Sequence, residues 1–294
     1  MVTFPENTNV EDAFHILRNG FEESGIESAS LDARLLLSEI LGITHVQFIS
    51  SPDRHIDEKD HSRLAAAAQK RMSRQPLSHI LGRREFFSRD FIVSPHTLTP
   101  RPDSEVVVET ALQHLHALMK EKSAPRILDL GTGTGCLLLT LLAECEGASG
   151  MGVDLSPEAL VIANKNAEEL GLESRCNFVT GNWFEPVEET FDLVISNPPY
   201  IPSHDIECLQ DEVRLYEPRL ALDGGCDGLA PYRHIIPEAR EYLNLGGSLI
   251  LEIGADQCEG VSSIFAEHSQ NSGISHVVCE KDIAGRNRCI HAIY

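Results

Sequence analysis

From Arg126 onward the chain alternates short apolar runs with helix-length stretches, and few folds accept that pattern. Arg126-Ile127-Leu128-Asp129-Leu130, Met151-Gly152-Val153-Asp154, Cys176-Asn177-Phe178-Val179-Thr180 and Phe191-Asp192-Leu193-Val194-Ile195 each read as a strand. Residues 247–253 supply a fifth, and residues 275–294 read as two more around Gly285. Near-continuous apolarity marks strands covered on both faces, as in parallel sheets. The intervening helices run through Leu137-Leu138-Leu139, from a Ser156 cap with Pro157 in the first turn, and from Tyr232 to Leu243. The pattern predicts an α/β class: a doubly wound, Rossmann-like sheet of seven strands with an antiparallel finish. In such sheets ligands bind beyond the carboxyl ends of the strands.

Two of those ends are unusual. After Ile195 comes Ser196-Asn197-Pro198-Pro199-Tyr200. Two prolines cannot continue a central strand, so the run stops there. The stop leaves a polar amide, a stiff backbone and an aromatic ring. Asn197 offers a side-chain oxygen and Pro198 a main-chain carbonyl, two acceptors for the two N–H bonds of a planar amide or amine. Pro199 helps hold both oxygens in place, and Tyr200 offers a flat face. The plainer alternative is a proline-bounded loop with a capping asparagine.

The other end is Asp129-Leu130-Gly131-Thr132-Gly133-Thr134-Gly135, joining the first strand to its helix. Glycines permit positive φ and close approach of a ligand. Asp154 closes the second strand, where a carboxylate can accept both ribose hydroxyls of an adenosine. A dinucleotide is one candidate ligand. Against it, Asp129 would repel a pyrophosphate, and the spacing is GxGxG rather than GxGxxG. S-adenosylmethionine carries no phosphate but has a sulfonium and an ammonium, and the loop suits it better. Asn182-Trp183 ends the third strand and is expected beside the adenine, although a sole tryptophan also serves as ordinary core. The expected donor site is therefore Asp129, Gly131, Thr132, Gly133, Thr134, Gly135, Asp154, Asn182, Trp183 and Asn197, with S-adenosyl-L-homocysteine as product.

Together the two ends suggest methyl transfer to nitrogen at Asn197, Pro198, Pro199 and Tyr200. An amide nitrogen is a weak nucleophile because its lone pair is delocalised. Holding both N–H bonds would aim that lone pair, and no strong base is needed, since water can take the proton as the methyl arrives. Catalysis would come from positioning and matched dipoles.

The remainder divides into residues 1–75, expected to be a helical substrate-docking domain, residues 76–100, a β-hairpin linker, and residues 101–294, the catalytic domain. Asn9 can cap a first helix with stripe Val10, Phe14, Leu17 and Phe21; a second centres on residues 32–37 and a third on residues 64–68. In the linker, Phe86-Phe87 and Phe91-Ile92-Val93 flank a turn expected at Ser88-Arg89-Asp90. The net charge of −21 opposes general nucleic-acid affinity. One local reversal stands out: from Arg63 to Arg101 there are eight Lys or Arg against two Asp or Glu. It reads either as a solvated face paired with acidic neighbours or as a docking surface. Eight scattered cysteines, without a CxxC pair or zinc spacing, are expected as reduced thiols, with no metal. No apolar run approaches the roughly 20 residues of a membrane span, and the acidic start lacks a signal or transit pattern. A cytoplasmic monomer is expected, with no membrane association and no direct nucleic-acid partner.

These residues resemble the methyltransferase family that modifies the side-chain amide of glutamine in class I peptide-chain release factors. Asp32-Ala33 with Leu36-Leu37 resembles its helical domain, and Pro76-Leu77-Ser78-His79-Ile80-Leu81-Gly82 with Phe86 its linker. Thr99-Pro100-Arg101-Pro102-Asp103-Ser104-Glu105 resembles the entry to its catalytic domain, usually written PRPETE, with Asp103 and Ser104 in place of Glu and Thr. Tyr216-Glu217-Pro218, Ala221-Leu222, Gly224-Gly225, Asp227-Gly228-Leu229 and Tyr232-Arg233 resemble its post-catalytic loop, and Ala284-Gly285-Arg286-Asn287-Arg288 its terminal hairpin. The resemblance implies a Gly-Gly-Gln loop of a release factor as substrate. It assigns donor binding to Gly131, Gly133, Gly135, Asp154 and Trp183, and the substrate corner to residues 197–200. Two other possibilities stay open on residues alone: an adenine or cytosine amino methyltransferase, which shares the corner, and a non-enzymatic binding protein with a vestigial pocket.

Overall fold

The computed structural model describes residues 2–120 and 122–294. The chain forms two compact units: Met1–Gly82 with Gln210–Tyr216, and Arg83–Leu209 with Glu217–Tyr294.

The first unit is helical: α1 (Val10–Glu23), α2 (Ala29–Leu41), α3 (His45–Ser50), α4 (Glu58–Met72) and α5 (Leu77–Leu81). Asn9 caps α1, its Oδ1 accepting the Asp12 N–H at 2.8 Å. Val10, Ala13, Leu17 and Phe21 turn one face of α1 inward, against Ala33, Leu36 and Leu37 of α2 and Leu64 and Ala68 of α4. Phe14 lies at the margin of that face, half-buried. The short helices α3 and α5 carry too few turns for a periodic signal. Instead α3 is set by a reciprocal cap, the Gln47 N–H on the Thr44 hydroxyl and the Thr44 N–H on the Gln47 amide. A later segment of the chain, α9 (Asp211–Tyr216), belongs to this unit and is fastened by charge. Arg71 donates to Asp32 at 2.7 Å and to Glu212 at 3.1 Å, and Arg74 donates to Glu212 at 2.9 Å. The Tyr216 hydroxyl donates to the Ser73 carbonyl at 2.7 Å.

The second unit opens with a hairpin, β1 (Arg83–Phe86) and β2 (Arg89–Ile92). Its turn is Phe87-Ser88, not the expected Ser88-Arg89-Asp90: Phe86 already pairs with Arg89. Both turn residues are left-handed, at φ 50° and 60°. Such two-residue turns favour glycine or asparagine, so this one carried no sequence signature. Carboxylates stabilise it, Glu105 accepting the Phe87 N–H at 3.3 Å and Glu85 the Ser88 N–H at 2.6 Å.

The main sheet comprises β3 (Arg126–Leu130), β4 (Ser149–Asp154), β5 (Cys176–Thr180), β6 (Phe191–Ser196), β7 (Leu243–Glu252), β8 (His276–Lys281) and β9 (Asn287–Ile293), in the order β5-β4-β3-β6-β7-β9-β8. The first five strands run parallel, and β9 is antiparallel to both neighbours. Helices α6 (Glu105–Leu118), α7 (Cys136–Glu144), α8 (Pro157–Glu169), α10 (Ala230–Tyr242) and α11 (Cys258–Ser272) accompany the sheet. Alternation along the strands divides the core. Leu128, Leu130, Val194, Leu249 and Leu251 pack with Tyr232, Ile235 and Phe265 of α10 and α11. Ile127, Leu193, Ile195 and Ile250 pack with Val107, Ala111 and Leu138 of α6 and α7. The chain builds outward from β3 through β4 to β5, then returns to place β6 on the other side of β3. The crevice at that reversal lies between the carboxyl ends of β3 and β6, the usual ligand position in open α/β sheets.

Two further expectations meet the structure here. Cys258 and Cys279 are joined in a disulfide between α11 and β8, which corrects the expectation of reduced thiols throughout; packing brought together residues 21 apart in sequence. Of the eight basic residues between Arg63 and Arg101, six pair with carboxylates: Arg63, Arg71, Arg74, Arg83, Arg89 and Arg101. The local reversal of charge is largely answered by acidic neighbours.

Candidate active site

The glycine-rich loop leaves β3 and bends toward β4, with the Gly131 and Thr132 N–H groups donating to the Val153 carbonyl at 2.8 and 3.0 Å. Gly131, Gly133 and Gly135 all have positive φ, 69°, 55° and 78°, which glycine adopts without a Cβ penalty. Asp154 is anchored through both oxygens: Oδ2 accepts the Gly133 N–H at 2.8 Å and Oδ1 the Ser156 N–H at 2.9 Å. Each oxygen keeps further acceptor capacity. Burial raises the Asp154 pKa, opposed by backbone N–H groups. Asp129 stands behind the loop, 1% exposed, with Oδ2 accepting the Thr132 hydroxyl at 2.6 Å and Oδ1 without a hydrogen-bond partner. Burial pushes its pKa up to about 7, with the Asp154 charge adding to the rise and the Thr132 hydrogen bond opposing it.

A cavity of about 460 Å³ lies over this loop. That volume is within the range of small-molecule sites. Gly131, Thr132, Gly133, Thr134, Asp154, Asn182, Trp183, Asn197 and Pro199 line it. Trp183 serves two roles, half-buried on the cavity wall and packed against the core. Pro198, Tyr200, Asp129 and Gly135 are not among the lining residues. Pro198 is buried. Gly135 instead starts α7, where an added Cβ would meet Leu139 Cδ1 at 3.0 Å.

The corner after β6 is tied to β3 by the Ser196 hydroxyl, which donates to the Leu130 carbonyl at 2.6 Å. Asn197 Nδ2 donates to the Ser104 hydroxyl at 3.2 Å, which leaves Oδ1 to accept from another group. The Tyr200 hydroxyl turns away toward Glu252, donating to Oε1 at 3.5 Å. Its carbonyl accepts Gln257 Nε2 at 2.9 Å; the same amide also donates to the Gly228 carbonyl at 3.2 Å and accepts the Gly254 N–H at 2.9 Å. Gln257 thus clamps the corner to the following loop. Gly224 is required at that junction, since a Cβ there would lie 2.8 Å from the Pro199 carbonyl oxygen.

The far wall held residues that reasoning from chemistry missed. His96, Leu98, Arg101 and Ser104 enter from before α6, and Pro218, Leu220, Asp223 and His234 from after the corner. Arg101 reaches Glu217 at 2.9 Å, and Asp223 accepts both the Ser203 hydroxyl at 2.5 Å and the Gly225 N–H at 3.0 Å. Arg101, Ser104 and Pro218 fall in segments that resemble the family, at residues 99–105 and 216–218; His96, Leu98 and His234 lie outside those segments.

Two family models match separate stretches of the chain. The model described as PrmC N-terminal domain matches residues 12–82, and the model described as Methyltransferase small domain matches residues 104–213. The release factor glutamine methyltransferase of Agrobacterium fabrum is 43% identical over 273 residues, 93% of each chain. That of Bradyrhizobium diazoefficiens is 44% identical over 256 residues, 87% of this chain and 86% of its own. Among solved structures, the hMettl16 catalytic domain in complex with the MAT2A 3′UTR hairpin 6 superposes with a TM-score of 0.54 at 15% identity, over 81% of each chain. At that identity the likeness is one of fold.

Proposed function

The chain belongs to the release factor glutamine methyltransferase family, and on that premise we propose how its residues act: they carry a methyl group from S-adenosylmethionine to the side-chain amide nitrogen of the glutamine in the Gly-Gly-Gln motif of class I peptide-chain release factors. One observation carries this most directly. Asn197 commits its NH₂ to Ser104 and keeps Oδ1 for a donor, on the wall of the same cavity as Gly131, Gly133 and Asp154.

The residues fit the methyl donor. Gly131 and Gly133 bring backbone to the cavity wall, Asp154 keeps acceptor capacity on both oxygens, and Asp129 has a buried oxygen with no partner, a setting that favours a nearby cation. Gly131, Thr132, Gly133, Thr134, Asp154, Asn182 and Trp183 would hold the donor, with Gly135 shaping the loop and Asp129 supporting it through Thr132. When bound, the donor supplies an electrophilic methyl group on a sulfonium. Asn197 Oδ1 accepts one N–H of the substrate amide and the Pro198 carbonyl the other. Pro199 stiffens the bend, and Tyr200, held at its carbonyl by Gln257 and at its hydroxyl by Glu252, anchors the end of the corner. Water takes the proton that the nitrogen loses.

The helical unit, with α9 fastened to it, is the docking element for the release factor. The protein works as a cytoplasmic monomer without metal, membrane or nucleic acid. The charge of −21 and the pairing of six basic residues support the reading without nucleic acid, and no helix among the described residues is long and apolar enough to cross a membrane. A nucleic-acid amino methyltransferase would instead bind with an affinity that falls steeply with salt.

Incubation with labelled S-adenosylmethionine and a release factor tests the proposal; absence of label on the Gly-Gly-Gln glutamine would defeat it. Asn197→Ala is expected to lower turnover about 10²–10³-fold, the scale of losing one aimed group in a preorganised site. Near-normal turnover would refute the role given to the corner.

A further inference from the structure

We infer that Arg101, held by the buried carboxylate of Glu217, binds a main-chain carbonyl of the substrate loop beside the target glutamine. The inference rests on the methyl transfer proposed above and adds a substrate contact that neither end-of-strand motif contains.

The backbone prepares this side chain. Pro100 and Pro102 flank Arg101, and a residue before a proline is pushed toward extended backbone. Arg101 is extended, at φ −104° and ψ 138°. Thr99 is 3% exposed and Pro100 is buried, so the chain leading into Arg101 is packed in place. The Ser104 N–H donates to the Arg101 carbonyl at 3.0 Å, while the Ser104 hydroxyl receives Asn197 Nδ2 at 3.2 Å. One short turn, Pro102–Ser104, thus connects Arg101 to the amide that is to hold the substrate nitrogen. Arg101 and Asn197 line the same cavity.

The side chain is only half committed. Its Nη2 donates to both Glu217 oxygens at 2.9 Å. The Glu217 side chain is 1% exposed, whereas that of Arg101 is 39% exposed. A guanidinium has N–H donors on all three nitrogens. Nη2 is engaged, and Nε and Nη1 have no acceptor among the described residues. Donors therefore remain on a side chain that lines the cavity and is fixed from behind.

Charge decides what those donors suit. Guanidinium and buried carboxylate together carry no net charge, so the remaining N–H groups offer direction without the pull of an unpaired cation. Asp154 and Asp223 also line the cavity, which disfavours a further anion there. A neutral acceptor fits best, and main-chain carbonyls are the neutral acceptors that every peptide loop carries. Glycines beside the target glutamine have no side chain to cover theirs. Leu98, Pro218 and Leu220 line the cavity on the same far wall, and apolar surroundings strengthen a hydrogen bond.

The test is steady-state methylation of a release factor, with S-adenosylhomocysteine binding measured by calorimetry. Arg101→Ala alone would leave Glu217 buried and unpaired, so it is made together with Glu217→Gln. Arg101→Lys, which keeps the charge but not the planar fork of donors, is the second variant. A carbonyl contact exists before and during methyl transfer, so KM should rise while kcat stays within about twofold. The rise should be about 10–100-fold in the double variant, the range of one hydrogen bond to a charged group. Arg101→Lys should move KM in the same direction, and it decides the matter should the double variant fold poorly. S-adenosylhomocysteine affinity should stay within about twofold of native, well below the tenfold that 1.4 kcal/mol represents. An unchanged KM in either folded variant overturns the inference. So does a loss of S-adenosylhomocysteine affinity with retained affinity for 5′-methylthioadenosine, which lacks the amino-acid end; that result would put Arg101 on the donor carboxylate. Release-factor binding, followed by fluorescence anisotropy, separates this contact from the reaction. Binding that weakens in the Arg101 variants while native protein adds no label supports the contact and removes the proposed reaction. A native protein that binds no release factor removes both.

Discussion

Asn166→Ala would cut the side chain that joins the hairpin to the glycine-rich loop. Asn166 lies on α8 and is 1% exposed. Its Oδ1 accepts the Ile92 N–H at 2.7 Å, and its Nδ2 donates to the Ile92 carbonyl at 3.1 Å and to the Thr134 carbonyl at 2.9 Å. Truncation strands one N–H and two carbonyls in the interior. Each stranded group costs about 1–3 kcal/mol, with carbonyls toward the low end because a second lone pair eases rearrangement. The expected loss is about 3–5 kcal/mol, a large part of the roughly 5–15 kcal/mol that holds a typical domain together. Urea unfolding, followed by linear extrapolation, measures it. Because Thr134 lines the cavity, S-adenosylhomocysteine should also bind more weakly. Asn166→Asp separates geometry from charge. It preserves the acceptor for Ile92 but turns an oxygen toward two carbonyls, which favours a protonated acid. Its folded pKa would then exceed the unfolded one, so stability relative to the native protein should fall as pH rises from mildly acidic to neutral. An Asn166→Ala protein within about 0.5 kcal/mol of native would refute the reasoning, since that is the scale of an uninvolved surface change.

Asp154→Asn places an NH₂ against one of two backbone donors, Gly133 or Ser156, and should weaken S-adenosylhomocysteine binding about 10–100-fold by calorimetry, the value of one hydrogen bond to a charged group; unchanged affinity would remove Asp154 from the donor site. Asp32→Ala leaves Arg71, 5% exposed, with Glu212 as its remaining carboxylate, and should cost about 3 kcal/mol in chemical unfolding. Replacing both partners by apolar residues should recover part of that loss. His114 and His291 share the Ser248 hydroxyl, at 3.1 and 2.9 Å, and burial lowers both, His291 to about 4. Their folded pKa values lie below the unfolded one, so the unfolded chain binds more protons and their contribution is lost as pH falls from about 6.5. Asp129 and Glu252, raised to about 7, act in the opposite direction, losing their contribution as pH rises. The clean measurement is therefore differential: His291→Gln should show a shallower acid-side loss than the native protein, and an identical slope would contradict the assignment.

Much of the catalytic unit was readable because its determinants are local. Strands β3 and β6 announce themselves by apolar runs that only a sheet covered on both faces can bury. Ser156 caps α8 as its position beside Pro157 implied, and all three loop glycines occupy the conformations that only glycine adopts freely. The double proline ended β6 where two missing N–H groups require it. Other features depend on partners distant in sequence. The Tyr200 hydroxyl meets a buried carboxylate at the end of β7, a contact that no local pattern foretold. Ser104 carried no chemical signature, and it orients Asn197 only because α6 starts beside the corner.

What the sequence alone determined is the existence of a doubly wound sheet and the two strand ends that carry its chemistry, because burial periodicity, glycine freedom and proline stiffness act over a few neighbouring residues. What only the tertiary structure decided is how those ends are completed. The joining of α9 to Arg71 and Arg74, the Asn166 tie, the Cys258–Cys279 link and the Asn197–Ser104 contact all pair residues far apart along the backbone. A hydrogen bond or ion pair depends on distance in space, and the packing of the core sets that distance.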